Sequence, residues 1–315
     1  MTTEILLATW NGARFLPALI ASLEAQTERS FRVLVRDDGS TDGTQAILAD
    51  WVARDHRVHL LPADHPSGSA KAAFSRLMAH SGADHVLFAD QDDVWAPEKV
   101  ALTLQALQAG ESRVGGSRPV LAFCDLSLID AQGALIADSF RRYRRMDVRR
   151  GTAFRYLLLD NVVTGCAMGV NRSAIQHSAP VPDAAMMHDW WLALVCAGLG
   201  TVVPMEPALI GYRQHGANSV GAAPYSPWAA IRTKLASLRL RGDQHVFNGW
   251  YGGVQAQAAA FQQRFGSSLA PIDAQALAAF VRLRRLSPGV RRWAILRHGL
   301  YRTSLVRTLG LLLRI

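Results

Sequence analysis

Cysteine is scarce in this chain. Three residues, Cys124, Cys166 and Cys196, stand far apart among 315, with no CxxC pair and no His/Cys cluster of metal-binding spacing. Their scarcity excludes a disulfide-stapled scaffold and a zinc ribbon, and it predicts buried thiols in a reducing compartment. No secretory leader is expected: "MTTEILLATWNG" has neither the basic head nor the long apolar stretch of one and enters a strand pattern at once. The expected location is therefore the cytoplasm. No internal repeat or low-complexity linker precedes "HGANSVGAAPYSPW" (215–228), and no GxSxG elbow or evident Ser/His/Asp arrangement favours a hydrolase.

Acidic residues are outnumbered, 25 Asp and Glu against 34 Lys and Arg, for a formal net charge of +9. The basic excess gathers in "FRRYRRMDVRRG" and again from Arg282 to Arg314. In the second cluster the arginines interleave with Trp293, Ile295, Leu296, Leu300, Tyr301, Leu305, Val306 and Leu309 at near-helical spacing. The final segment is interrupted by Arg307 and is too broken to span a bilayer. It suits either a helix lying in a membrane interface or a helix packed on the body with a solvated basic face.

Half the residues are hydrophobic, enough to bury a substantial core over this length. Short apolar runs at 4–8, 32–36, 58–61 and 85–89 alternate with helical patterns over 13–26, 44–53, 69–80 and 97–107. Strand alternating with helix predicts parallel strands joined by crossover helices. In the first helix Phe15, Leu16, Leu19, Ile20 and Leu23 share one face, and Pro17 falls early enough to be tolerated. Pro97 reads as the first residue of its helix.

In such a sheet, ligands bind beyond the carboxyl ends of the strands, where "ATWNG", "RDDGSTDGT" and "ADQDDVW" should converge. Taken alone, "DDGSTDG" favours a turn with an N-cap; the alternative is that Asp38 accepts a hydrogen bond from a base edge. Asp90, Asp92 and Asp93 are too close to remain ionised without a cation or hydrogen bonds, and a hard divalent ion that also holds diphosphate oxygens would supply the balance. A solvated acidic loop is the simpler alternative. His188 and Asp189 open an apolar helix with Trp190 and Trp191 behind them, so Asp189 is either a helix cap or a general base. "YRQHGANSVG" adds Arg213, His215 and Asn218, groups able to neutralise a diphosphate.

The order "TWNG", "VRDDGSTDGT", "ADQDDVWAPEKV", "TGCAMGVNR", "HDWW", "YRQHGANS" resembles glycosyltransferase family 2, and more narrowly its bacterial rhamnosyltransferase-like members. The resemblance covers about the first two-thirds of the chain. It implies a GT-A fold, an α/β architecture with a Rossmann-like, mostly parallel central sheet flanked by helices, over residues 1–220. A helical, basic C-terminal region would follow over 221–315. It further implies a nucleotide-diphosphate-sugar donor, Mg2+ or Mn2+, and inversion at the anomeric carbon.

Carried over by position, Asp189 is the catalytic base. Thr9, Asn11, Asp37, Asp38, Lys71, Asp90, Gln91, Gly165, Cys166 and Arg213 are expected at the donor, and Asp92 and His215 at the metal. Where relatives often carry asparagine before the phenylalanine of the third helix, this chain has Ala73 before Phe74, which turns attention to Lys71. Gln91 in the middle of the DxD-type motif hints at a dTDP-linked donor. The expected acceptor is a lipid-linked oligosaccharide or polysaccharide, with peripheral contact at the inner face of the membrane and no nucleic-acid partner. Two competing readings are a metal-dependent nucleotidyltransferase, whose Gly-rich basic loop "LATWNGARF" only faintly approaches, and a non-catalytic protein whose basic tail binds anionic lipid or nucleic acid.

Overall fold

The computed structural model describes residues 1–62, 65–215, 241–302 and 305–314. Asn218 and most of the 215–228 stretch expected to mark a boundary lie outside them. The chain forms two compact units, one comprising Met1–Phe140, Val163–Val181 and Gly200–Gly221, the other Arg141–Val162, Pro182–Leu199 and Ala222–Ile315.

The first unit is built on a nine-stranded sheet. Strands β1 (Thr3–Thr9), β2 (Arg32–Asp37), β3 (Val58–Leu60) and β4 (His85–Asp90) are parallel, in the order β3-β2-β1-β4. Helices α1 (Leu16–Glu24), α2 (Thr44–Arg54) and α3 (Ala70–His80) are the crossovers. Ile5, Leu6, Leu7 and Val86 to Ala89 have no exposed surface, which explains why these strands read as unbroken apolar runs: a parallel strand is covered on both faces. α1 buries Leu16, Leu19, Ile20 and Leu23, with Pro17 in the first turn, where no amide hydrogen is needed. Ser69 caps α3 by accepting from the Ala72 amide.

Beyond β4 the sheet changes character. β5 (Val94–Trp95) pairs antiparallel with β9 (Thr201–Arg213), and β8 (Met168–Asn171) lies antiparallel between β4 and β6 (Val120–Ile129). β6 also pairs with β7 (Leu135–Ala137) and, in parallel, with β9. The two-residue β5 corrects the expected helix start: the Ala96 amide still donates to the Leu209 carbonyl, so α4 (Lys99–Val114) begins two residues after Pro97. It runs on to Gly115, whose φ of +91° favours glycine and ends it. Phe15 stands just before α1, at its N-cap, rather than on the helix's buried face.

The second unit is helical. Short helices α5 (Phe140–Arg144, whose first residue belongs to the first unit), α6 (Val148–Gly151) and α7 (Phe154–Leu157) precede α8 (Arg172–Ser178) of the sheet unit. Then come α9 (His188–Leu199), α10 (Arg241–Phe265), α11 (Pro271–Arg282), α12 (Pro288–Arg297) and α13 (Leu305–Arg314). Trp191 of α9 is fully buried against Phe261 and Phe265 of α10, and Phe154 of α7 packs on Phe261. The helical unit is therefore not the contiguous segment 221–315; two earlier stretches supply part of its core. Among the described residues no helix is long and apolar enough to cross a membrane.

Candidate active site

Strand register assembles the site in the first unit. Thr9 pairs with Asp37 across β1 and β2, and Ala8 with Asp90 across β1 and β4, so the three polar clusters leave the sheet at one level. The loops after β1 and β2 are then cross-linked by side chains. The Asn11 amide donates to Ser40 Oγ (2.8 Å), the Gly12 amide to Thr44 Oγ1 (2.8 Å) and the Thr41 amide to Asn11 Oδ1 (2.8 Å). Asn11 itself sits at φ +48°, a left-handed conformation that asparagine tolerates better than most residues.

Burial divides the expected donor residues into two groups. Thr9 is 1% exposed and its hydroxyl donates to Asp37 Oδ1 (2.9 Å). Asp37 also accepts from the Ser40 amide and hydroxyl and from Gln45 Nε2, so both residues frame the turn instead of facing the crevice. Cys166, fully buried, does not line an open pocket either; burial and then the neighbouring Asp93 and Asp90 push its thiol far up. Arg213 differs most from its expected place. It is 5% exposed; Nε donates to the Asp92 carbonyl (2.8 Å), Nη1 to the carbonyls of Asp130 (3.1 Å) and Ala131, and its backbone amide to Asp93 Oδ1. Its guanidinium also lies over the Phe15 ring. Arg213 thus props the DxD-type loop from inside.

Asn11 is exposed, and Asp38, Lys71, Asp90, Gln91, Asp92, Gly165 and His215 are half-buried. Asp38 accepts from the amides of Ser67 (2.5 Å) and Gly68 (3.2 Å), which ties it to the loop that leads into α3. Lys71 lies in the first turn of that helix, while Ala73 is buried in the core. Gln91 forms a two-pronged contact with the backbone of Trp10: Nε2 donates to its carbonyl and Oε1 accepts from its amide, both at 2.9 Å. Trp10 itself is 63% exposed.

Asp92 Oδ2 lies 2.7 Å from His215 Nε2, and the His215 ring packs on Phe15 with centroids 4.7 Å apart. Phe15, which periodicity assigned to a helix core, thus supports both His215 and Arg213. Asp93 has no exposed surface, and burial followed by the charges of Asp90 and Asp92 raises its carboxyl well above the usual range. Its Oδ2 has no hydrogen-bond partner. Among the described residues, Asp90, Asp93 and Cys166 offer ligand atoms all within 4.8 Å of one another. A thiol held protonated suits a hard divalent ion poorly, but carboxylate oxygens and an imidazole suit Mg2+ or Mn2+. The Asp92 carboxylate and the His215 imidazole, in contact at 2.7 Å, are donor types that fit such an ion, and Asp90 and Asp93 add carboxylates close to each other.

Asp189 belongs to the other unit, in the first turn of α9, where a carboxylate complements the positive end of the helix dipole. Its Oδ1 accepts from the Trp190 amide (2.5 Å), and Trp190 Nε1 donates to the Leu157 carbonyl (2.6 Å).

A sheet whose parallel half delivers acidic loops to one edge, with carboxylates and an imidazole gathered there, defines an α/β protein suited to a nucleotide and a divalent ion. The family described as "Glycosyl transferase family 2" matches residues 4–177, more than half of the chain, and the chain belongs to that family. It is 23% identical to the dTDP-rhamnosyl transferase RfbG of Shigella flexneri over 241 residues, 72% of this chain and 80% of that protein. It is also 23% identical to the glycosyltransferase alr2836 of Nostoc sp. over 228 residues, 70% of this chain and 66% of that protein. Among solved structures, S. aureus TarS 1-349 in complex with UDP-GlcNAc matches with a TM-score of 0.56 at 14% identity, covering 96% of this chain and 93% of that one. The chain spans 44% of a longer TarS structure. The fold is GT-A.

Proposed function

We propose that the chain is an inverting, metal-dependent glycosyltransferase that moves a sugar from a nucleoside-diphosphate donor onto a hydroxyl of a growing, lipid-linked bacterial surface glycan. Rhamnose from a dTDP donor is the favoured sugar, on the likeness to RfbG. The observation that carries the reading is the 2.7 Å contact of Asp92 with His215. It joins two strand-end motifs at the carboxylate edge where a diphosphate would need neutralising.

In this reading Asp92 and His215 hold the ion, Asp90 faces ribose and diphosphate, and Asp38, Asn11 and Lys71 border the nucleoside. Gly165 borders the sugar. Thr9, Asp37, Cys166 and Arg213 position these groups from behind. The bound ion supplies charge neutralisation for the departing nucleoside diphosphate. Asp189 accepts the proton of the acceptor hydroxyl as that oxygen attacks the anomeric carbon from the face opposite the leaving group, so no enzymic nucleophile is needed.

The test is nucleoside-diphosphate release from a panel of UDP-, GDP- and dTDP-sugars, with and without Mg2+ or Mn2+. Metal-dependent release from one donor, reduced at least about a hundredfold in both Asp92→Ala and Asp189→Asn, is the expected result. Pyrophosphate as the product would identify a nucleotidyltransferase instead. Absence of both turnover and donor binding would overturn the transferase reading.

A further inference from the structure

The charge of the chain is not spread over its surface. After Asp273 the remaining residues, 274–315, carry nine arginines and no acidic side chain, while the preceding residues balance 25 basic against 25 acidic groups. The whole formal excess of +9 thus falls within residues 274–315, from Ala274 of α11 onward.

The same segment exposes its large apolar side chains. On α12, Ala294 and Ile295 are buried, whereas Val290, Trp293 and Leu296 are half or more exposed; on α13, Leu311 is buried and Leu309 and Leu313 are exposed. Arg292 Nε donates to the Leu312 carbonyl (2.8 Å), which ties the two helices together. Arg282, Arg284, Arg285, Arg292 and Arg297 lie exposed around them, and the Arg297 guanidinium sits over the Trp293 ring.

We propose that this face docks on the surface of an anionic phospholipid bilayer, with Trp293, Leu309 and Leu313 entering the headgroup boundary and the arginines meeting lipid phosphates. Exposed leucines and an indole among arginines match the interfacial mode of binding; a nucleic-acid backbone would use the arginines and leave the leucines in water. At ten residues, each helix is about 15 Å long, half of a hydrocarbon core, so it lies on the membrane without crossing it. The inference stands apart from the transferase reading, although it would bring a lipid-linked acceptor within reach.

The experiment is co-sedimentation of the full chain with vesicles of phosphatidylcholine alone or mixed with phosphatidylglycerol, with brominated lipid as a quencher of tryptophan emission. Expected are binding to the anionic vesicles only, quenching that is lost in Trp293→Phe, and affinity weakened on the order of tenfold or more in Trp293→Ser/Leu309→Ser/Leu313→Ser. Arg284→Gln/Arg285→Gln/Arg297→Gln should weaken it comparably, and it provides the test if the apolar variant fails to fold. No binding at low salt overturns the proposal. So does full binding by the serine variant, or displacement from vesicles by duplex DNA with unchanged quenching in Trp293→Phe.

Discussion

Gln91 uses its side-chain amide as a strand would use its backbone, giving to and taking from Trp10 at the end of β1. Because Trp10 is exposed, water can replace both hydrogen bonds when the amide is removed, so Gln91→Ala should cost no more than about 1 kcal/mol of stability. On the proposed reading, in which this loop borders the donor, its expected effect is a several-fold rise in donor KM with a nearly unchanged melting temperature. Gly12→Ala should do the same from the other side, since a Cβ there would collide with Gln91 Oε1, and the two changes should be less than additive. Equal KM values for both variants and the wild type would remove this role. A second residue-scale prediction concerns His188, whose burial lowers its pKa from 6.5 to about 3. Between those values the unfolded chain holds a proton that the folded chain does not, so stability falls as pH drops from 6.5 toward about 3. The loss should be on the order of a few kcal/mol, and His188→Leu should flatten that part of the pH–stability curve. Denaturant melts at stepped pH would read it; an unchanged slope in the variant would place the acid sensitivity elsewhere.

Strand β9 delivers Arg213 and His215 to the site, but its alignment is set at its far end. The Thr201 amide donates to the Pro119 carbonyl (3.0 Å), and a Cβ on Gly200 would collide with that same carbonyl oxygen. Gly200→Ala must therefore displace β9 from β6, at a cost of about 2 kcal/mol or more. Donor turnover should fall although the substitution lies a whole strand away from Asp92, and measuring kcat beside a melting curve checks both effects. The same element shows what the sequence could convey. β1, β2 and β4 were legible because burial on both faces leaves an apolar run, and their shared carboxyl edge followed from βα alternation. The partnership of Asp92 with His215 depends on the pairing of β9 with β5, and two residues carry no periodicity to reveal a strand. Motif spacing was likewise blind to direction: Thr9, Asp37 and Arg213 stand where ligand-binding groups were expected, yet their polar atoms satisfy neighbouring loops. Asp38 and Asp37 are adjacent, and only the fold tells which of them is turned inward.

At the scale of the molecule, chain order and packing order part company. Linear reading divides the chain near residue 220, whereas the helical unit takes Arg141–Val162 and Pro182–Leu199 into its core. Those insertions carry Phe154, Trp191 and the Asp189 turn, and the C-terminal helix α10 supplies Phe261 and Phe265 against them. A large aromatic side chain buries about 150–250 Å², worth roughly 4–6 kcal/mol as an upper bound at about 25 cal/mol/Å². Stripping the cover from Trp191 and Phe154 together thus approaches the whole net stability of a typical domain, about 5–15 kcal/mol. A chain ending at residue 221 should consequently fail as an independent transferase even though it retains Asp92, His215 and Asp189. It is expected to aggregate or to show red-shifted tryptophan emission, with donor turnover lost. The milder Phe261→Ala in the full chain should lower stability by about 3–5 kcal/mol and reduce kcat more than donor KM, because it loosens the helix that bears Asp189 and leaves the nucleotide edge untouched. If the shortened chain stays monomeric with native emission and full turnover, the C-terminal helices are not part of the working core.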